Sequence, residues 1–86
     1  MVRRAGERQW VASGRVEAED LRYTTGFEMP EGDYETLAGF LLARLGHVPA
    51  VGERLTWDAY LFTVSLANER AILEVEITKT TGRKDG

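Results

Sequence analysis

Two hydrophobic periods divide this chain into its predicted elements. Between Trp10 and Val16 the residues Trp10, Ala12, Gly14 and Val16 alternate with Val11, Ser13 and Arg15, the period of two that gives a strand one buried face. Glu17, Glu19 and Asp20 then crowd the start of a stretch that ends at Gly26. Acids at the N-terminus and a glycine just past the C-terminus suit the dipole and the cap of a short helix of about two turns. Met29 to Asp33 brings Pro30, Gly32 and Asp33 together, each a turn former, and reads as a loop. Beyond it the period changes to that of a helix: Leu37, Phe40, Leu41, Arg44 and Leu45 fall at i, i+3, i+4, i+7 and i+8. Asp33 or Thr36 can cap its start, Gly46 takes the position after its end, and Pro49 blocks any continuation. Gly39 inside that helix costs about 1 kcal/mol against alanine, which predicts a closely approaching backbone or aromatic ring there.

The second half returns to a period of two. Val51 and Gly52 turn the chain and Arg54 to Trp57 reads as a short strand. After a turn at Asp58 and Ala59, Tyr60, Phe62, Val64 and Leu66 alternate with Leu61, Thr63, Ser65 and Ala67. Asn68 and Glu69 make the next tight turn, and Leu73, Val75 and Ile77 then alternate with Glu74, Glu76 and Thr78, one buried face and one acidic face. These three strands predict an antiparallel meander whose apolar face needs a cover, and the Leu37 to Leu45 helix has the surface to supply it. The fold class is therefore α+β: a small antiparallel sheet, made of the N-terminal strand and the C-terminal three-strand meander, packed by two helices. Residues 1–8 and 80–86 lack an apolar period and read as a flexible N-terminal segment and a flexible tail around a domain at 9–79.

At 86 residues the chain has room for a single core, with about 60–65% of its surface buried on folding. It has no cysteine and one histidine, which removes disulfides, thiolate metal sites and the usual parts of zinc, haem and triad chemistry. Neither a nucleophile elbow nor an HExxH pair is present, so the chain reads as noncatalytic. A net charge of −3 is the wrong sign for neutralising phosphates or settling on anionic lipid, which argues against nucleic acid as a partner. The longest apolar run, Phe40 to Ala43, is far short of a membrane span, and no signal-peptide core lies near the start. The chain thus reads as a soluble module without direct membrane insertion, and a domain of this size is equally a piece of a longer protein.

Four groups of side chains carry candidate chemistry. Glu28, Glu31, Asp33 and Glu35 offer oxygen ligands to a hard cation, but capping and the helix dipole account for acids at this place, and no metal site is assigned. His47 follows the glycine that ends the second helix, where an imidazole can bond the free carbonyls; that structural use is the expectation, since no second histidine or cysteine stands by. Trp10, Trp57, Tyr60 and Phe62 could stack a flat ring, and a domain this small equally needs them as core. No glycine-rich phosphate cradle accompanies them. Arg3, Arg4, Arg8, Arg15 and Arg22 make the first part basic, while Glu69, Glu74 and Glu76 make the last strand acidic, a segregation that protects an edge or orients docking.

Three segments together resemble one family: VASGRVEAEDL (Val11 to Leu21), DYETLAGFLLARLGHVPAVGE (Asp33 to Glu53) and YLFTVSLANERAILEVEI (Tyr60 to Ile77). They are similar to the transporter-associated domain of CorC/HlyC-type membrane proteins, with Tyr34, Thr36, Gly39, Leu45-Gly46, Pro49 and Gly52 at the family's spacing. The chain departs from it at Glu69-Arg70-Ala71, where the family usually carries consecutive arginines. The resemblance implies a regulatory or interaction domain at the cytoplasmic face of a bacterial cell membrane, partnered by the CBS-domain pair and membrane region of its parent protein or by a second copy. Magnesium or cobalt efflux is the associated activity. It also implies a fold shared with a half-domain of flavin-binding oxidoreductases, so a sensor binding FAD or a nucleotide is the alternative by fold analogy, with no cofactor assigned. The haemolysin name of some relatives finds no pore-forming or strongly amphipathic membrane helix here.

Overall fold

A computed structural model describes residues 2–80. The elements run β1 (Val2–Gly6), β2 (Gln9–Ser13), α1 (Ala18–Thr25), α2 (Leu37–Leu45), β3 (Arg54–Trp57), β4 (Tyr60–Ala67) and β5 (Ile72–Lys79). The strands form one antiparallel sheet in the order β1-β2-β5-β4-β3, so the N-terminal hairpin joins the C-terminal meander through the β2–β5 pairing. Trp10, Ala12, Val64, Val75 and Ile77 from the sheet share a buried core with Leu21, Leu37, Phe40 and Leu41 from the helices. Both helices therefore lie on the same face, and the α+β class read from the pattern holds.

The sheet has one strand more than the alternation predicts. Residues 1–8 read as a flexible segment, but Val2–Gly6 is β1, with Val2 opposite Ala12, Arg3 opposite Val11 and Arg4 opposite Trp10. Its backbone pairs with β2 although Val2 is its only large apolar side chain; main-chain ladders form without a side-chain period. The Arg4 guanidinium holds the turn, donating from Nε to the Gly6 carbonyl at 3.0 Å and from Nη2 to the Glu7 carbonyl at 2.6 Å. At the other end Thr80 donates its N–H and its hydroxyl to the Ala59 carbonyl, and residues 81–86 of the predicted tail lie outside the described residues.

Local capping follows the sequence. The Thr36 hydroxyl accepts from the Gly39 N–H at 3.2 Å and caps α2, so Asp33 is not the cap. Gly26 and Gly46 end the helices at φ 82° and 80°, the left-handed conformation glycine takes without a Cβ clash. A Cβ on Gly39 would come within 2.8 Å of the Tyr34 Cβ, the close aromatic approach that its place in the helix predicts. The Tyr34 ring in turn lies edge-on to Phe40, and its hydroxyl donates to the Pro30 carbonyl at 2.6 Å, closing the loop before α2.

The centre of the core is an aromatic cluster built on Phe27. Its ring centroid lies 4.9 Å from Phe62, 5.1 Å from Tyr60 and 5.6 Å from Phe40, the first two edge-on. Phe27 stands one residue past the Gly26 cap, where helix C-termini often place an apolar contact. That offset, outside any run of period 2 or 3.6, is the signal that would have found it.

Candidate interaction surface

The sheet face away from the helices carries no covering element among the described residues. A row across it runs Arg3, Val11, Glu76, Thr63 and Arg54, set by the ladder register. The next row places Ser13, Glu74 and Leu66 side by side. Strict alternation would bury Leu66 after Tyr60, Phe62 and Val64, and Leu73 with Val75 and Ile77. The structure corrects both expectations. Val64 pairs with Val75, yet Leu66 pairs with Glu74 and Ala67 with Ile72, so Ser65 and Leu73 are each an extra residue in the ladder. These two slips reverse the facing of the residues beyond them, as bulges do. Ile72 takes the buried place, while Leu66 and Leu73 turn outward at 52% and 46% exposure.

Around them is a groove of about 610 Å³ lined by Arg3, Val11, Ser13, Leu66, Leu73 and Glu74, bounded at one end by Val2, which packs against the core. The Ser65 hydroxyl donates to Glu74 Oε1 at 2.9 Å, so the bulge that exposes Leu66 also orients the carboxylate beside it. An exposed apolar strip rimmed by one base and one acid is the composition of a protein-docking surface.

The other candidate groups are dispersed. Glu28, Glu31, Asp33 and Glu35 are all exposed on the loop before α2, and no three His, Asp or Glu side chains among the described residues stand close enough to hold a metal ion. His47 does not make the bond to the helix-end carbonyls that its position predicts. Its Nε2 lies 2.6 Å from Glu53 Oε2, while Glu53 Oε1 accepts the Ala50 N–H at 2.9 Å. The Ala50 amide and then the His47 side chain hold the Glu53 carboxyl below its usual range. The pair clasps the loop between α2 and β3, in which Pro49 is buried.

Of the four aromatics, Trp10, Tyr60 and Phe62 are core residues, and Trp57 is half-buried with the Arg44 guanidinium carbon 4.0 Å from its ring centroid. The Tyr60 hydroxyl donates to the Thr25 carbonyl at 2.8 Å, and burial, followed by the nearby Asp58 charge, raises its pKa. The free amides at the start of α2 are also taken: Leu37 donates to Val16, Ala38 to Gly14 and Gly39 to the Thr36 hydroxyl. A phosphate would find no unpaired N–H there. The arginine-poor turn between β4 and β5 is held by Asn68 Oδ1, which accepts from the amides of Arg70 and Ala71.

A five-strand antiparallel sheet with both helices packed on one face defines a small α+β domain. The particular family follows from residues 3–81, which match the CorC_HlyC family described as the transporter-associated domain; the chain belongs to that family. Among relatives, the UPF0053 protein MT1890 of Mycobacterium tuberculosis is 32% identical over 88% of this chain and 19% of its own length. The magnesium and cobalt efflux protein CorC of Escherichia coli is 28% identical over 87% of this chain and 26% of its own. The chain thus spans a fifth to a quarter of these relatives. Among solved structures, a region associated with a Mg2+ and Co2+ transporter (CorC) from Neisseria meningitidis superposes with a TM-score of 0.85 at 25% identity, covering 92% of this chain and 98% of that one. The fold is shared with a CorC_HlyC domain from Xylella fastidiosa in complex with Mg2+ and Mn2+, with a TM-score of 0.80 at 22% identity over 93% of this chain and 98% of that one. Among the described residues no helix is long and apolar enough to cross a membrane.

Proposed function

We propose that this chain is a noncatalytic regulatory domain at the cytoplasmic face of a bacterial membrane ion transporter, and that it modulates divalent cation efflux, of magnesium or cobalt, by docking against the rest of its own protein. The observation that carries the reading is the uncovered sheet face on which two ladder slips expose Leu66 and Leu73. A domain that acted alone would gain by burying them, since the exposed halves of the two leucines together represent about 1.5–3 kcal/mol of apolar burial. Membership of the transporter-associated family and the relation to efflux proteins supply the transport context. CBS-domain and membrane portions are the partners on this reading.

The test is cation uptake into everted membrane vesicles, whose outer surface is the cytoplasmic face, containing the full-length transporter, intact or lacking residues 3–81. Removal of the domain is expected to leave transport running and to shift its dependence on the cation concentration in the bath, which stands for the cytoplasmic side. A truncated protein with the same rate and the same cation dependence as the intact one overturns the proposal.

A further inference from the structure

We infer that the outer sheet face receives an amphipathic helix lying across the strands, one that presents an acid, a base and an acid about seven residues apart. This rests on the docking role proposed for that face and gives the partner's chemistry. The row Arg3, Val11, Glu76, Thr63 and Arg54 crosses all five strands, one residue from each. Its charges run plus, minus, plus, with an uncharged residue between neighbours. Charges that hold a sheet together stand directly opposite one another. Here Arg3 stands opposite Val11, Arg54 opposite Thr63, and Glu76 between Val11 and Thr63. Among the described residues the one ion pair is His47 with Glu53, so none of the three charges in the row pairs with another described residue. The row is therefore an exposed pattern of charge that its own sheet does not use.

The spacing selects the occupant. Adjacent strands lie about 4.8 Å apart, which sets Arg3 from Glu76, and Glu76 from Arg54, by about 9.6 Å. Two turns of an α-helix, about seven residues, rise about 10.5 Å and return to the same face. The positions half-way between, about three or four residues on, then fall over Val11 and Thr63. An extended segment on this face would have no ladder to join and would bury its N–H and C=O groups unpaired, whereas a helix bonds its own. A helix is about 10–12 Å wide with its side chains, and the next row lies about 7 Å along the strands, so the same helix covers Leu66 and Leu73. The leucines supply the burial and the charges fix the register. The apolar faces of α1 and α2 are already in the core, so the helix comes from another part of the parent protein and not from a second copy of this domain.

A solved relative of which this chain covers 98% shows that such a domain folds by itself, so the isolated domain serves for the test. The probe is a stapled helical peptide of about 18 residues with glutamate, lysine and glutamate about seven residues apart and leucines half-way between. Titrated into the domain, it is expected to move the amide NMR signals of Arg3, Val11, Glu76, Thr63, Arg54 and Leu66, with a dissociation constant of about 10–100 μM. The same peptide with its charges inverted is expected to bind about tenfold more weakly or worse. Glu76→Arg, exposed and opposite uncharged residues, is expected to keep the melting temperature, to weaken the first peptide about tenfold, and to regain affinity to within about threefold for a peptide whose central lysine is glutamate. Equal binding of the two charge patterns overturns the inference, as does a peptide that moves signals elsewhere. Movement of these same signals with the domain's own concentration, undisturbed by peptide, assigns the face to a second copy and overturns it too. Transport by the full-length protein lacking residues 3–81 separates the two readings. A domain indifferent to the peptides, with transport whose cation dependence shifts on deletion, overturns the helix and leaves the docking role standing. A domain that distinguishes the peptides, with transport indifferent to the deletion, overturns the regulatory role and leaves the helix site standing.

Discussion

Phe27 touches Phe40, Tyr60 and Phe62 from a position with no exposed surface. Phe27→Ala is expected to destabilise by about 3–5 kcal/mol, read as a shifted midpoint in urea, and to leave the domain largely unfolded at physiological temperature. Thr36→Ala removes the α2 cap and is expected to cost about 1 kcal/mol in the same measurement. At Glu53 the prediction concerns protons. Its lowered carboxyl pKa means that the folded state binds fewer protons than the unfolded one in that range. The resulting stabilisation is present above the ordinary carboxylate pKa and disappears as pH falls through the lowered value. His47→Ala is expected to raise the Glu53 pKa only partway to normal, because the Ala50 amide, the larger cause, remains. Carboxyl 13C titration by NMR checks this, and an unmoved Glu53 would show that the imidazole has no hold on it. The Gly46 cap was legible from residue types at fixed offsets, while the structure chose Thr36 over Asp33 at the start of α2. The His47–Glu53 pair was not legible, because contact across six residues depends on the path of a loop.

At the scale of elements the junction at Gly14 decides how β2, β5 and α2 fit together. Its N–H donates to the Leu73 carbonyl, its carbonyl accepts from the Ala38 N–H, and a Cβ there would run into the Ile72 carbonyl oxygen. Gly14→Ala is therefore expected to destabilise by about 1–3 kcal/mol, with loss of amide protection concentrated at Ala38 and Gly14 in hydrogen exchange. Uniform protection instead would mean that the junction relaxes without strain. Helix boundaries were readable because 3.6-residue periodicity and caps are local. Strand β1 was hidden because one large apolar side chain, Val2, gives no period, and what holds the strand is the backbone of β2. The facing of Leu66 and Leu73 was hidden for a related reason. Alternation predicts which residues share a face only while the ladder is unbroken, and the slips at Ser65 and Leu73 are choices of pairing that the strand's own sequence leaves open.

For the whole molecule, the sheet and the two helices meet around a core with Tyr60 at its rim, where one phenol joins β4 to the end of α1 through the Thr25 carbonyl. Its pKa is raised by burial, so the folded state holds the phenolic proton longer than the unfolded chain does. Stability is unaffected below the ordinary tyrosine range and is expected to fall as pH rises beyond about 10. In Tyr60→Phe that alkaline loss should shrink, at a cost of about 1 kcal/mol for the missing hydrogen bond near neutral pH. Thermal melts across the alkaline range check both, and identical pH profiles for the two proteins would assign the alkaline loss to other groups. The sequence by itself determined the class of fold, the extents of α1 and α2, the glycines that end them and the family, because periodicity and capping are properties of neighbours along the chain. Only the tertiary structure decided that Phe27 is central, that a fifth strand closes the sheet, and that two leucines and one glutamate face outward together. Those depend on which backbone pairs with which, and pairing energy is shared between strands far apart in sequence.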